Sequence, residues 1–202
     1  KRQIVEELHK PALKNFPRRR VTVKGLNDLW QVDLMELIPY SRFNSGYRYV
    51  MLVVNAFSKF IYVEPLKRKT MAETTRAFEK ILARAPSPPA NLTSDQGTEF
   101  FGSSFRALMR KHGINHYHVY SHLKACLAER AIKTVKTKLW KEFGFRGNYK
   151  WTDILPDIVK KYNNTVHSVI KMKPRDVGKK DEERLLRDVF RHPQGRGRGR
   201  RN

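Results

Sequence analysis

The chain has 202 residues, 40% of them hydrophobic, enough for one good core and too apolar for a disordered polymer. Its formal net charge is +23, with a pI near 10.4; self-repulsion on that scale asks for a polyanion, and nucleic acid is the first choice over an anionic membrane surface. Cys126 is the only cysteine, which excludes an internal disulfide framework and a multi-cysteine zinc site, and no apolar run approaches the length of a membrane span.

In chain order, residues 1–22 read as a basic N-terminal arm containing FPRRR. The chain opens on Lys1 rather than Met, as expected of a piece of something longer. Three strands follow, LWQVDLMEL, YRYVMLVVNAF and KFIYVEPL, rich in β-branched and aromatic residues. Their short separations predict an antiparallel meander. A helix is expected next, with Thr70 as N-cap and Glu73 completing a capping box. Met71, Thr75, Phe78, Ile81 and Leu82 recur along it at helical spacing. APSPPA breaks the chain. Then come a strand, NLTS, a short helix, FRALMRKHG, stopped by Gly113, and a strand, INHYHVY, along which His116 and His118 share a face. The polar stretch YSHLKAC, residues 120–126, leads into a long helix; this stretch is expected to be mobile without DNA and ordered with it. A final helix, WTDILPDIVKKYNNTVH, must hold Pro156 in its first turns. The order β-β-β-α-β-α-β-α-α indicates an α/β layer fold with a mixed sheet. The chain ends in RGRGRR, an Arg/Gly segment expected to be disordered and to bind polyanions without sequence preference.

Three acids stand in recognisable settings. Asp33 lies in WQVDL, Asp95 opens the turn DQGTEF after NLTS, and Glu129 sits on the long helix. Most carboxylates are solvated surface groups. Asp33 and Asp95, however, adjoin strands that should be buried, where an unpaired carboxylate needs a metal or a partner. Carboxylates from two strands and a helix can converge on two divalent cations that align an oxygen nucleophile against a phosphodiester.

On the long helix Glu129, Lys133, Lys136 and Trp140 fall on nearly one face, and Ala128, Ile132, Val135 and Leu139 on another. The plain reading of Glu129 is an i,i+4 surface pair with a lysine. The neighbouring cations Lys124, Arg130, Lys133 and Lys136 favour a stripe that guides a phosphate backbone past the acids.

WQVDL, SDQGTEF and the KAxxxER segment, in that order, resemble the catalytic core of retroviral-type integrases and DDE transposases. The integrases of Maverick/Polinton DNA transposons are particularly similar. FPRRRV, YSRFNSGYRYVMLVVNAFSKF, PLKRKT and KYNNTVHSVIKMKPRDV extend the resemblance over roughly residues 10–178. It implies an RNase H-like fold with a five-stranded mixed sheet flanked by helices. It also implies 3′-end processing and strand transfer of transposon DNA with Mg²⁺ or Mn²⁺, carried by Asp33, Asp95 and Glu129 as both catalytic groups and metal ligands. A DNA-contacting lysine near the last acid maps onto Lys133 or Lys136, and Arg196, Arg198 and Arg200 join the expected DNA-binding set. A dimer or tetramer on double-stranded DNA, in the nucleus, is expected. The domain reading is an arm over 1–22, a catalytic core over 23–176 and a basic tail or linker over 177–202. Two departures stand out. The 33 residues between Asp95 and Glu129 are two fewer than in retroviral relatives, and Asn55 stands where relatives often have Asp. Glu36 and Glu99 are rival carboxylates. The alternatives are a host-domesticated DNA- or chromatin-binding protein without turnover, and an RNase H-like nuclease without strand transfer.

Overall fold

The structure is a computed structural model and describes residues 21–118 and 126–190. Most of the N-terminal arm, the connection through Lys124 and the terminal segment with Arg196, Arg198 and Arg200 lie outside the described residues.

Strands β1 (Leu29–Glu36), β2 (Tyr49–Asn55) and β3 (Ile61–Leu66) form the expected antiparallel meander. β4 (Asn91–Ser94) lies parallel to the free side of β1, and β5 (Asn115–His118) parallel to β4, giving the order β3-β2-β1-β4-β5. β1 is therefore central, with an antiparallel neighbour on one side and a parallel one on the other. This accounts for the near-continuous apolar runs of β1 and β2, which are covered on both faces. Helices α1 (Met71–Arg84) and α2 (Ser103–Lys111) cover Trp30, Val32, Met51 and Val53. On the opposite face α3 (Cys126–Arg146) and α4 (Leu155–Asn163) cover Met35, Leu37, Val50, Leu52 and Val54.

Local chemistry sets the element ends. Thr70 caps α1 through Glu73 N (3.4 Å), but the Glu73 carboxylate accepts from the backbone of Lys67 and Arg68 (2.9 and 3.0 Å). The expected capping box is thus half made, and Glu73 ties the β3–α1 turn to the helix. α3 runs past Trp140 to Arg146, where Gly147 turns left-handed (φ +64°), the conformation glycine adopts without steric cost. Pro156 sits in the first turn of α4, as its missing N–H requires.

Three asparagines replace backbone pairing. Asn44, buried beneath the β1–β2 connection, donates to Tyr40 O and Tyr149 O and accepts from Trp151 N (2.8 Å), clamping the segment after α3. Asn163 pairs with both backbone groups of Ile61 (3.0 and 2.9 Å), so α4 occupies part of the β3 edge. Asn55 accepts from Phe57 N and Ser58 N and donates to Leu26 O (2.7 Å). An Asp could cap the same two N–H groups but has no donor for Leu26 O, so Asn serves this turn on structural grounds.

A third apolar cluster closes one end of the sheet with Val23, Leu29, Ala56, Phe57, Ile170 and Leu185. Leu185 belongs to the short helix α5 (Glu182–Leu185), which continues as a wider turn to Phe190. Phe190 stacks on Phe57 at 5.0 Å. It also lies 5.2 Å from the Lys59 ammonium. That ammonium donates to Ala56 O (2.6 Å), and its burial lowers the pKa to about 8.

Candidate active site

Asp33 stands on β1 on the same face as Gln31 and Met35, the face that α3 covers. The parallel ladder between β1 and β4 pairs Gln31 with Thr93. Asp33, within β1 opposite Leu52 of β2, and Asp95, just past the end of β4, each lie two residues beyond that pair, past the carboxyl end of the parallel ladder. Ligand crevices of α/β sheets form at such ends, next to the point where strand order reverses. Asp33 accepts from Leu34 N (2.7 Å) and Asp95 from Gly97 N (3.1 Å).

Glu129 arrives on the first turn of α3. The start of that helix is fixed by Gln31, whose side-chain oxygen accepts from Leu127 N (3.0 Å) and Ala128 N (3.4 Å). One β1 residue thus caps the helix that carries the third acid, two positions from the strand's own acid. Burial raises the Asp33 pKa; the Leu34 N–H opposes this, the negative charges of Asp95 and Glu129 add to it, and Lys69 works against it. The result is about 6. Asp33 therefore feels both other acids. Their donor oxygens are hard, as Mg²⁺ or Mn²⁺ prefers. Among the described residues, however, no three His, Cys, Asp or Glu side chains stand close enough to hold one ion.

The polar stripe of α3 borders a shallow groove of about 370 Å³, lined by Glu129, Ile132, Lys133, Lys136, Thr137 and Trp140. Lys133 and Lys136 share it with Glu129. Arg130 does not line it; its charge is felt by Lys59, Tyr162 and His167 on the α4 side. Of the two rival carboxylates Glu36 is exposed at the end of β1, whereas Glu99 is 5% exposed and its Oε1 lies 3.1 Å from Lys69 Nζ. Behind Asp95, Ser94 Oγ donates to Asp95 O (2.9 Å) and meets His116 Nε2 at 3.0 Å. With its one hydrogen given to Asp95 O, the serine must accept from His116, which fixes the Nε2–H tautomer.

Sequence reasoning missed Gln31, Lys69 and the Ser94–His116 pair as supports of the site. A glutamine inside the apolar run LWQVDL was the one visible signal, since a buried amide needs partners.

Residues 24–122 match the integrase core domain family; the match ends before Glu129. The sheet order and flanking helices form an RNase H-like fold. A transposon-derived protein of Caenorhabditis elegans is 30% identical over 142 residues, covering 70% of this chain and 50% of that protein. The Pro-Pol polyprotein of simian foamy virus type 1 is 28% identical over 151 residues, covering 72% of this chain and 12% of the polyprotein. The chain thus spans half or less of the length of these relatives. Among solved structures, the HTLV-2 integrase catalytic core domain in complex with magnesium superposes with a TM-score of 0.63 at 20% identity, covering 79% of this chain and 99% of that one. A chain of the simian T-cell lymphotropic virus intasome gives 0.66 at 20% identity, covering 86% and 65%.

Proposed function

We propose that the chain is the catalytic core of a DNA integrase or transposase that processes the 3′ ends of its own element and joins them to target DNA. The observation that carries this reading is geometric: Asp33 and Asp95 lie at the same level of neighbouring parallel strands, and Gln31 of the same strand caps the helix that brings Glu129, in a chain whose residues 24–122 match the integrase core domain. Asp33 from within β1 and Asp95 from the end of β4, with Glu129 from α3, would hold the divalent cations. When bound, these ions supply Lewis-acid activation of the attacking oxygen and charge stabilisation on the leaving oxygen. Lys133 and Lys136 hold the phosphate backbone along the groove beside Glu129, and the fixed strands β1 and β4 orient the acids toward it.

The magnesium in the HTLV-2 core and the assembly named in the viral intasome support Mg²⁺ or Mn²⁺, double-stranded DNA and a multimer for this chain as well. The transposon-derived relative supports a transposable element as the source of the DNA ends; an element of the Maverick/Polinton kind, and action in the nucleus, complete the proposed reading.

The test is Asp95→Asn in a cleavage and joining assay on the element's terminal DNA with Mg²⁺ or Mn²⁺. The substitution should abolish both steps and leave DNA binding intact, because lysines and arginines carry the binding. Full activity in Asp95→Asn overturns the assignment. DNA binding without any metal-dependent chemistry in the parent favours instead a domesticated binder.

A further inference from the structure

The acidic site has a cation of its own. Lys69, on the β3–α1 turn one residue before the α1 cap, has a side chain 37% exposed, and its ammonium lies 3.1 Å from Glu99 Oε1. Its charge acts on Asp33, and Asp95 and Glu36 act on it in turn. Lys69 therefore stands among the negative groups of this end of the sheet, gripped by one that is not proposed to bind metal.

The grip is specific. Glu99 lies in the short helical turn Thr98–Phe100 directly after the DQG segment. Its carboxylate is buried, and Oε1 has no well-aligned hydrogen-bond donor besides the ammonium that faces it. A carboxylate is costly to bury without full satisfaction. The packing around it is close: a Cβ at position 97 would fall 2.5 Å from Glu99 Oε1, so a larger residue there would have to displace the carboxylate. The carboxylate is held beside the Asp95 turn, and its charged partner is a lysine whose charge also acts on Asp33 and Asp95.

We propose that Lys69, clamped by Glu99, is the resident counter-cation of the acidic site and competes there with divalent metal until DNA assembles. This rests on the metal-binding reading of Asp33 and Asp95. The pair is neutral as a unit, so breaking it from either side shifts the local charge in opposite directions. Removing Lys69 leaves the site one charge more negative; neutralising Glu99 leaves it one charge more positive. A pair with only a packing role would respond in the same direction to either loss.

The experiment is an EPR titration of Mn²⁺ against the 202-residue chain without DNA, with folding checked by circular dichroism. Lys69→Met and Lys69→Gln should bind Mn²⁺ more tightly than the parent, by roughly threefold or more at low salt, and Glu99→Gln more weakly by a similar factor. The double variant Lys69→Met with Glu99→Gln should return close to the parent, and Lys69→Arg should match it. Shifts of the same sign in the Lys69 and Glu99 variants, or none in either, overturn the proposal. Mn²⁺ binding that Asp95→Asn leaves intact, or no binding by the parent, overturns the metal-site reading and this proposal with it. Loss in Asp95→Asn with unchanged Lys69 variants sinks this proposal alone.

Discussion

Gln31 links the strand that carries Asp33 to the helix that carries Glu129, and Gln31→Leu removes that link while keeping the side chain's size. Two α3 N–H groups lose their acceptor, one bonded at 3.0 Å and one at 3.4 Å. A buried donor left unsatisfied costs about 1–3 kcal/mol, and the longer bond contributes little. The added apolar burial of leucine offsets part of the loss. The expected net destabilisation is about 1–2 kcal/mol, a fall in Tm of roughly 3–6 °C for a protein of this size. Activity should fall much further. A catalytic group misplaced by about 1 Å costs on the order of a hundredfold, and Glu129 lies one residue past the second of the freed amides. Two readouts separate the effects. Hydrogen exchange at the Leu127 and Ala128 amides should speed up with little change in the β1–β2 ladder, and the single-turnover rate of end cleavage should drop far more than the melting curve suggests. If exchange at these amides accelerates and cleavage stays within about threefold of the parent, the coupling of helix start to active site is wrong.

Asp33→Asn should stabilise the protein near neutral pH. The folded-state pKa of about 6 lies above the ordinary 3.8, so the contribution of Asp33 to stability is fully present below about 3.8 and lost as pH rises through 6. In urea titrations at pH 7–8 the variant should exceed the parent by up to about 3 kcal/mol, with the gap closing toward pH 4. A gap that persists at pH 4 refutes the electrostatic origin. Replacing Lys133 and Lys136 together with alanine should flatten the slope of log K against log salt for DNA binding by about 1.8, from about 0.9 per lost phosphate contact. An unchanged slope removes the groove from the DNA path.

The sheet was legible because its signals are periodic or compositional. β2 announced itself by an uninterrupted apolar run, and the meander by its short turns. α3 was legible as a helix with two faces, although Ala131 rather than Ile132 takes the fully buried place and Ile132 tilts to the groove wall. What did not show was pairing across large sequence distance. Nothing local in LWQVDL says that its glutamine will cap a helix that begins at Cys126. Nothing in RFNSG says that Asn44 will hold Trp151, and nothing in PLKRKT says that one of its three cations will pair with Glu99. Arg130 looked equivalent to Lys133 and Lys136 because all belong to one basic run, but a step of about 100° per residue sends it to the α4 side. Relatives' Asp at position 55 drew attention for its chemistry, whereas its place in the fold is to brace a turn.

The stacking of Phe57 on Phe190 has a consequence for how the protein is made. Residues of the β2–β3 turn leave the ribosome early, and the ring that covers them emerges only after α5. Until then Phe57 and the Lys59 ammonium lack part of their cover, while the five strands already have their partners. Such late sealing leaves a nascent chain with a finished sheet and an open apolar end, a form prone to association with its neighbours. A protein ended just after α4 would remain in that condition permanently, which makes α5 and the turn through Phe190 part of the smallest unit expected to fold and stay monodisperse.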